Sequence, residues 1–229
     1  PAAAVNTTTG AHLDAGRTAL RQYVRAGGGF VGIHNAIGGT EYNWPYYEGL
    51  CGGTQYYDHG ANQDGTIVTL ARDSSTQGLP ARWAFRDEWY NWLPFPTRVK
   101  FLLAVDESSL ATRSATHPGH GRFHPISWCQ YYDGGRSWVA ALGHDSAAYV
   151  DGSGFPGQEF FKKHVVNGIL SAMGDLLLRL SGLTSHGPAS ITNVPVRTLG
   201  GRLMARRRRH GGFPGRRVVP ADVSGLRRA

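Results

Sequence analysis

The stretch that most constrains the fold of this chain runs from Gly27 to Ala36 and reads GGGFVGIHNA. Its apolar centre is short and bounded by glycine, a pattern that predicts a fully buried strand of an α/β sheet. Residues 13–26 have apolar side chains on one helical face, so we expect a helix there, with Asp14 at its N-cap. His34 would then lie at the carboxyl end of a buried strand, where ligands bind in open α/β sheets.

Turn signals and hydrophobic periodicity predict further elements along the chain. A short helix is expected from Pro45, and the polar residues 55–65 indicate a surface loop. Alternating aromatic and polar residues over 82–92 predict a strand, and the DGG sequence at 133–135 predicts a hairpin turn. Apolar residues at helical spacing over 157–173 predict a helix that covers the sheet.

The net charge of +8 belongs to one end of the chain. Residues 1–175 carry a net charge of −2, whereas residues 176–229 carry +10 from eleven arginines and one aspartate. The second segment mixes glycine, proline, serine and arginine without periodicity, so we expect one domain over 1–175 followed by a disordered basic tail over 176–229. Arginine runs can bind phosphate groups, but the run at 206–209 has no interleaved aromatic residues. We therefore expect no specific nucleic-acid partner.

The number of cysteines and the length of the apolar runs argue against a disulfide-rich, a cysteine–zinc or a membrane-spanning protein. Cys51 and Cys129 are too few for a disulfide framework or a cysteine-based zinc site, so we expect two buried free thiols. The two could also pair across the fold in an oxidising compartment. No apolar run approaches the length of a membrane span, so we expect no membrane partner.

Histidines and carboxylates recur near the expected strand ends, so they could converge on one rim of the sheet. Imidazole and carboxyl groups transfer protons when their surroundings bring their pKa values near the working pH. We therefore expect acid–base catalysis by His34, His144 and Glu88. The residues expected to bind substrate are Glu41, His59, Asp87, Tyr90, His124 and Trp44.

Each of these assignments has a structural alternative. Polar groups at strand ends often bond to the backbone of neighbouring loops, and most aromatic side chains pack in cores. An aromatic face also suits the apolar side of a sugar ring, which favours binding for some of them. The same histidines and carboxylates could bind zinc or manganese. No HxH or HExxH motif fixes a ligand set, so we expect no metal and no other cofactor.

Six short motifs occur in an order that resembles one family. They are YVRAGGGFVGIHNA, TEYNWPYY, GLPARW with DEWYN, HPISWC, YDGGRSW and LGHD, all within residues 5–174. This set is similar to the ThuA-like, or trehalose utilisation, family. The resemblance implies a flavodoxin-like, class I glutamine amidotransferase-like fold, which is a three-layer α/β sandwich. It also implies a carbohydrate-related role and frequent occurrence as a module of larger secreted bacterial proteins.

The chain departs from the family pattern at both ends and at one central position. Family proteins usually have a strand, a helix and a strand before the point that corresponds to Pro1, so the resemblance implies an incomplete domain. They do not usually continue into an arginine-rich tail. In amidotransferases proper, the strand that resembles residues 29–33 ends in a cysteine nucleophile, whereas this chain has His34 there. Because thiolate chemistry needs sulfur at that position, we expect no glutaminase activity.

The leading hypothesis is therefore a ThuA-like protein that processes a glycoside or an oxidised keto-sugar, as a hydrolase or isomerase without a cysteine nucleophile. The alternative is a non-catalytic carbohydrate-binding or interaction module of a larger secreted protein. Both predict a small carbohydrate as the partner, and neither fixes the oligomeric state.

Overall fold

The computed structural model describes residues 10–38 and 44–174, and only the backbone of residues 10–14. Glu41 and the basic tail expected over 176–229 lie outside the described residues. Among the described residues, no helix is long and apolar enough to cross a membrane. The helices and strands, in chain order, are α1 (Gly10–Arg25), β1 (Gly29–Ile33), α2 (Pro45–Leu50), β2 (Tyr56–His59), β3 (Gln63–Thr69), β4 (Arg82–Asp87), β5 (Tyr90–Trp92), β6 (Lys100–Asp106), β7 (His124–Tyr132), β8 (Gly135–Ala140) and α3 (Gln158–Ala172).

Six of the described strands form one mixed sheet in the order β1-β8-β7-β6-β3-β4, and β2 pairs with β5 in a separate antiparallel ribbon. β1 runs parallel to β8, and the other pairs of the sheet are antiparallel. The parallel register places Ile33 beside Ala140. The segments after β1 and after β8, which carry His34 and His144, therefore emerge at the same end of the sheet.

The sheet curls, so that its far edge approaches these strand ends. β4 and β8 are separated by three strands in the sheet order. Asp87, the last residue of β4, nevertheless accepts a hydrogen bond from the backbone N–H of Gly143, three residues after β8. The end of β4 and the ends of β1 and β8 thus meet at one rim.

Helix α3 packs along one face of this curled sheet. Phe161 contacts Phe85 of β4 with ring centroids 5.1 Å apart. Gly168 lies directly on Trp138 of β8, where a Cβ would overlap the indole ring. Because only glycine lacks a Cβ, this close approach requires glycine at that turn of the helix.

His164 is a completely buried polar residue of α3. Its Nδ1–H donates to the carbonyl oxygen of Ser75 at 2.9 Å, and its Nε2 lies 2.9 Å from the hydroxyl of Ser127 on β7. Burial outweighs the bond to Ser75 and lowers the pKa of His164 to about 4. The ring is therefore neutral at pH 7 and links the helix to the sheet.

Most predicted elements are present. The structure confirms the helix before the triple glycine, the strand that ends before His34, the helix from Pro45, the hairpin at 133–135 and the helix over 157–173. Both cysteines are buried free thiols, as the sequence predicted.

Several details of the predictions are wrong. α1 begins at Gly10, so Asp14 lies inside the helix instead of at its N-cap. β1 is mostly half-buried, because β8 is its only neighbour among the described strands. Residues 55–65 form β2 and the start of β3, and residues 82–92 form two strands that belong to different sheets. The side chains of β2 are half-buried or exposed, which explains why the segment resembles a loop.

Candidate functional site

The rim where β1, β4 and β8 end brings three histidines around one glutamate. Oε2 of Glu88 lies 3.1 Å from Nδ1 of His144, 3.6 Å from Nε2 of His59 and 3.8 Å from Nε2 of His34. The side chains of His34 and Glu88 are 16% and 17% exposed, whereas that of His144 is 43% exposed. The group of Glu88, His34, His59 and His144, which we call the rim cluster, therefore opens to solvent at His144.

His34 has an unusual backbone conformation directly after β1. Its φ is 49°, in the left-handed region that residues other than glycine rarely adopt. Such conformations persist where surrounding contacts enforce them, and they concentrate at functional sites. Nδ1 of His34 lies 3.0 Å from the carbonyl oxygen of Ala141. Because a carbonyl only accepts, the proton is on Nδ1, and Nε2 of the neutral ring presents its lone pair to the cluster.

Contact with Tyr90 and burial both affect the protonation of the His34 ring. The Tyr90 hydroxyl lies 3.1 Å from Nε2 of His34, and the two rings stack with centroids 4.8 Å apart. Burial lowers the pKa of His34 below its ordinary value, while the bond to Ala141 and the charge of Glu88 oppose that shift. The neutral ring is the form that can accept a proton.

Asp87 lies beneath the cluster and positions two of its members. Its buried carboxylate accepts the backbone N–H groups of Glu88 at 2.8 Å, Gly143 at 2.7 Å and His144 at 3.3 Å. Burial nevertheless raises the pKa of Asp87 to about 7. The sequence pattern assigns Asp87 to substrate binding. Its burial and its backbone partners correct this to a positioning role.

His59 and two tyrosines form one wall of the rim. Nδ1 of His59 donates to the carbonyl oxygen of Gly60 at 2.6 Å, which leaves Nε2 facing Glu88. The His59 ring stacks with Tyr90 at 5.7 Å, and Tyr56 lies 4.6 Å from Tyr90. His59 therefore belongs to the rim cluster and Tyr90 lies against it. The contact with substrate that the sequence predicts for both residues stays a prediction.

His124 does not reach the rim surface. The side chain is 2% exposed, and its Nδ1 and Nε2 lie 2.8 Å from Oε1 of Glu107 and 2.8 Å from the carbonyl oxygen of Tyr90. Both ring nitrogens thus face internal acceptors. The expected role of His124 in substrate binding is therefore replaced by a structural one, which is to hold the strand that carries Tyr90.

Trp44 lies against a different part of the fold. Its ring is 5.3 Å from that of Tyr46, and the guanidinium of Arg17 lies over it at 5.3 Å. The Tyr46 hydroxyl donates to Asp133 in the β7–β8 turn, at the opposite end of β8 from His144. These contacts do not bring Trp44 to the rim cluster, so its predicted role in substrate binding has no geometric support.

Cys51 is not prepared for nucleophilic chemistry. Burial raises the pKa of its thiol to about 12, and its Sγ lies 3.9 Å from the carbonyl oxygen of Ala36. The reactive thiolate is therefore suppressed at neutral pH. This is in line with the expected lack of glutaminase activity, which stays a prediction.

The rim cluster also has donor atoms that suit a metal ion. One ligand atom each from His34, Glu88 and His144 lies within 4.8 Å of the other two. Imidazole and carboxylate groups are ligands of zinc and of other divalent transition metals. The sequence left a zinc or manganese site open only as an alternative, because the three residues are far apart in the chain and form no motif that fixes a ligand set.

A family model described as "ThuA: Trehalose utilisation" matches residues 3–172. The chain belongs to the ThuA family. This confirms the resemblance carried by the six motifs, and it supports a carbohydrate-related role in general terms. No curated protein sequence matches the chain significantly.

Solved structures are similar to this ThuA-family chain, and the first of the two described here confirms its α/β fold. One is a putative ThuA-like protein from Parabacteroides merdae, with a TM-score of 0.54 and 18% sequence identity. The match covers 69% of this chain and 64% of that protein, so this chain spans less than two thirds of its length. Another is a putative GMP synthase component from Thermoplasma acidophilum, with a TM-score of 0.39, 8% identity and coverage of 67% of this chain and 64% of that protein.

Backbone contributions to the site of this ThuA-family protein were not foreseen from its sequence. The carbonyl groups of Ala141 and Gly60 fix the protonation of two rings, and the N–H of Gly143 anchors the loop after β8. The glycine before His144 could have indicated a special backbone. Its φ is 117°, and a Cβ there would overlap the Tyr149 hydroxyl.

Proposed function

We propose that this ThuA-family protein processes a carbohydrate at the rim cluster, and that its substrate is an oxidised keto-sugar or keto-glycoside. The observation that carries the proposal is the position of Glu88, one oxygen of which faces imidazoles from three separate segments of the chain. Membership in a family described by trehalose utilisation favours a sugar as the substrate.

The number of available carboxyl groups favours a keto-sugar over direct glycoside hydrolysis. Glycosidases ordinarily use two carboxyl groups roughly 5 to 9.5 Å apart. Around the rim, Asp87 is occupied by three backbone N–H groups, and Asp145 caps a short helix by accepting the N–H of Ala147 at 2.8 Å. Of these three carboxylates, Glu88 is left for substrate. One carboxylate among imidazoles suits the removal of a proton beside a carbonyl group.

In the proposed reaction, a C–H beside the sugar ketone loses its proton to the pair of Glu88 and His144. His144 is the most exposed of the cluster histidines, and its Nδ1 lies 3.1 Å from Glu88, so the two groups can share that proton. His34 and Tyr90 form the deeper side and face the ketone oxygen. The resulting enediolate is reprotonated on the neighbouring carbon, which gives an isomer. Alternatively, it expels the alkoxide on its β carbon, which takes up the abstracted proton and leaves as an alcohol, so that the glycosidic bond is cleaved and an unsaturated ketone remains.

Proton exchange tests this proposal directly. The purified chain is incubated in D₂O with keto-glycosides and with their unoxidised parent glycosides, and deuterium uptake beside the ketone is followed by NMR. We expect uptake in the keto-sugars only. Glu88→Gln and His144→Ala should slow it by about 100-fold or more, the usual contribution of general acid–base catalysis.

The matched control is His117→Ala, which removes a half-buried imidazole in the loop before β7, outside the rim cluster. This variant should exchange at the wild-type rate. Sugar binding without exchange in any keto-sugar would contradict the proposal and support a non-catalytic binding module instead.

A further inference from the structure

We propose that His34, Glu88 and His144 bind a divalent transition-metal ion through Nε2, Oε2 and Nδ1, respectively. The inference rests on the proposed function for what the ion would do there. Binding itself is argued from the geometry of the three side chains and is measured separately from turnover.

The spacing of the three ligand atoms fits such an ion. Metal–ligand bonds of about 2.0–2.2 Å at tetrahedral angles place neighbouring ligand atoms about 3.3–3.6 Å apart. Oε2 of Glu88 lies 3.1 Å from Nδ1 of His144 and 3.8 Å from Nε2 of His34, and all three atoms lie within 4.8 Å of one another. Small rotations of partly exposed side chains are enough to close this arrangement around an ion.

Hydrogen bonds to neighbouring groups also fix the positions of the three proposed ligands. Histidines that bind metals typically donate their second ring N–H to a carbonyl or carboxylate oxygen, which fixes the tautomer and the ring orientation. His34 does this through Nδ1 to the carbonyl oxygen of Ala141 at 3.0 Å. Asp87 fixes the backbone of the other two ligands, because it accepts the N–H groups of both Glu88 and His144.

The rim cluster brings several acceptor atoms together, which favours the binding of a cation. Nδ1 of His34 and Nδ1 of His59 both face backbone carbonyl groups, so in the neutral rings both Nε2 atoms are acceptors. Both of these nitrogens face the anionic Oε2 of Glu88, at 3.8 Å and 3.6 Å. Acceptors that face one another repel unless positive charge lies between them. The Tyr90 hydroxyl, which lies 3.1 Å from Nε2 of His34, is the donor that an ion would replace at that nitrogen.

A set of three protein ligands is typical of catalytic metal sites, which keep one coordination position open for water or substrate. Structural zinc sites instead have four protein ligands and no open position. The exposed side of His144 offers a route of entry for ion and substrate. The ion would polarise the ketone oxygen of the sugar and so acidify the neighbouring C–H. The second carboxylate oxygen of Glu88, which is outside the ligand set, would then accept the proton. His59 is not one of the three proposed ligands, and we assign it to positioning the Glu88 side chain.

Metal analysis of the full chain tests the inference. The protein is stripped with a chelator, incubated with Zn²⁺, desalted and analysed by mass spectrometry for bound metal, and the Zn²⁺ affinity is measured by competition with a chromogenic chelator. We expect about one ion per chain, as for a single three-ligand site. Glu88→Gln and His144→Ala should weaken binding at least about tenfold, the smallest loss typical even of outer partners of a metal.

His117→Ala is again the control and should bind Zn²⁺ like the wild type. Because the His144 side chain is 43% exposed, His144→Ala should fold normally, which circular dichroism verifies. Equal Zn²⁺ affinity in the wild type and both site variants, or no retained ion in the wild type, would overturn the inference. A bound ion without proton exchange would refute the proposed function alone. Proton exchange by a wild-type protein that retains no Zn²⁺ would refute the metal site alone.

Discussion

At the scale of single residues, His34 combines two unfavourable features. Its backbone lies in the left-handed region, and its imidazole is largely buried and held neutral. A residue selected for packing alone needs neither, and glycine would fit the backbone better. The combination is therefore evidence that the imidazole itself is needed at the rim.

Substituting His34 in two ways separates the imidazole from the backbone. His34→Gly and His34→Ala both lose the ring, but only alanine keeps a Cβ at a φ of 49°. We expect His34→Gly to be the more stable variant by about 1 kcal/mol, since a Cβ in the left-handed region costs roughly 1–2 kcal/mol. Urea denaturation of the two proteins measures the difference. Equal stability would show that the backbone at this position is not strained.

The sequence predicted that the residues of the rim cluster could meet on one rim of the sheet, and the structure shows them there, whereas their roles in catalysis and binding stay predictions. His34, His59, Glu88 and His144 follow or end strands, and the fold brings them together. Asp87 is adjacent to Glu88 in the chain, yet it points inward and binds backbone groups. Neighbouring polar residues at a strand end look equivalent in a sequence, because the side on which each one lies depends on how the sheet curls.

At the scale of elements, the contact between α3 and β8 depends on one missing side chain. Gly168 lies against the Trp138 indole without room for a Cβ. Helix propensity alone would favour alanine over glycine by about 1 kcal/mol. Packing and propensity therefore make opposite predictions for the same substitution.

We expect packing to decide the outcome at Gly168. Gly168→Ala should lower the free energy of unfolding by about 1–3 kcal/mol, the usual penalty for overpacking a close contact. Val166→Ala on the same helix is the control, because Val166 is 54% exposed and its substitution tests propensity alone. Thermal denaturation should show a destabilised Gly168→Ala and a Val166→Ala close to the wild type. A stabilised Gly168→Ala would mean that α3 can move away from the sheet at little cost.

The elements differ in how well the sequence predicted them. The hairpin at 133–135 and helix α3 have strong local signals, and both are confirmed. β2 was missed because it is a short strand whose side chains are half-buried or exposed, and strand patterns rely on burial.

At the scale of the whole molecule, buried ionisable groups away from the rim make the fold sensitive to acid. His164 has a pKa of about 4 in the folded protein, below its ordinary value of 6.5. The unfolded chain therefore takes up the proton first, and stability is lost as the pH falls from 6.5 towards 4. Burial raises the pKa of Glu107, but hydrogen bonds from His124 and from the backbone N–H of His120 outweigh it and lower the value to about 2. That contribution is lost at still lower pH.

A variant without the buried imidazole should be less sensitive to pH. Between pH 6.5 and pH 4, we expect the stability of the wild type to fall more steeply than that of His164→Gln, by up to about 1.4 kcal/mol per pH unit for one proton. Chemical denaturation at a series of pH values gives both slopes. Parallel slopes would show that His164 is not the group that responds in this range, whatever the absolute stability of the variant.

The bond between Asp87 and Gly143 has a consequence for the molecule as a whole. It joins the end of β4 to the loop after β8, across three intervening strands, and so helps to keep the curled sheet closed beneath the rim cluster. A ligand that bridges Glu88 and His144 adds a second connection between the end of β4 and the loop after β8. Ligand binding and the stability of the fold are therefore thermodynamically linked. A ligand that binds only the closed form raises the free energy of unfolding by an amount that grows with the logarithm of its concentration relative to its Kd.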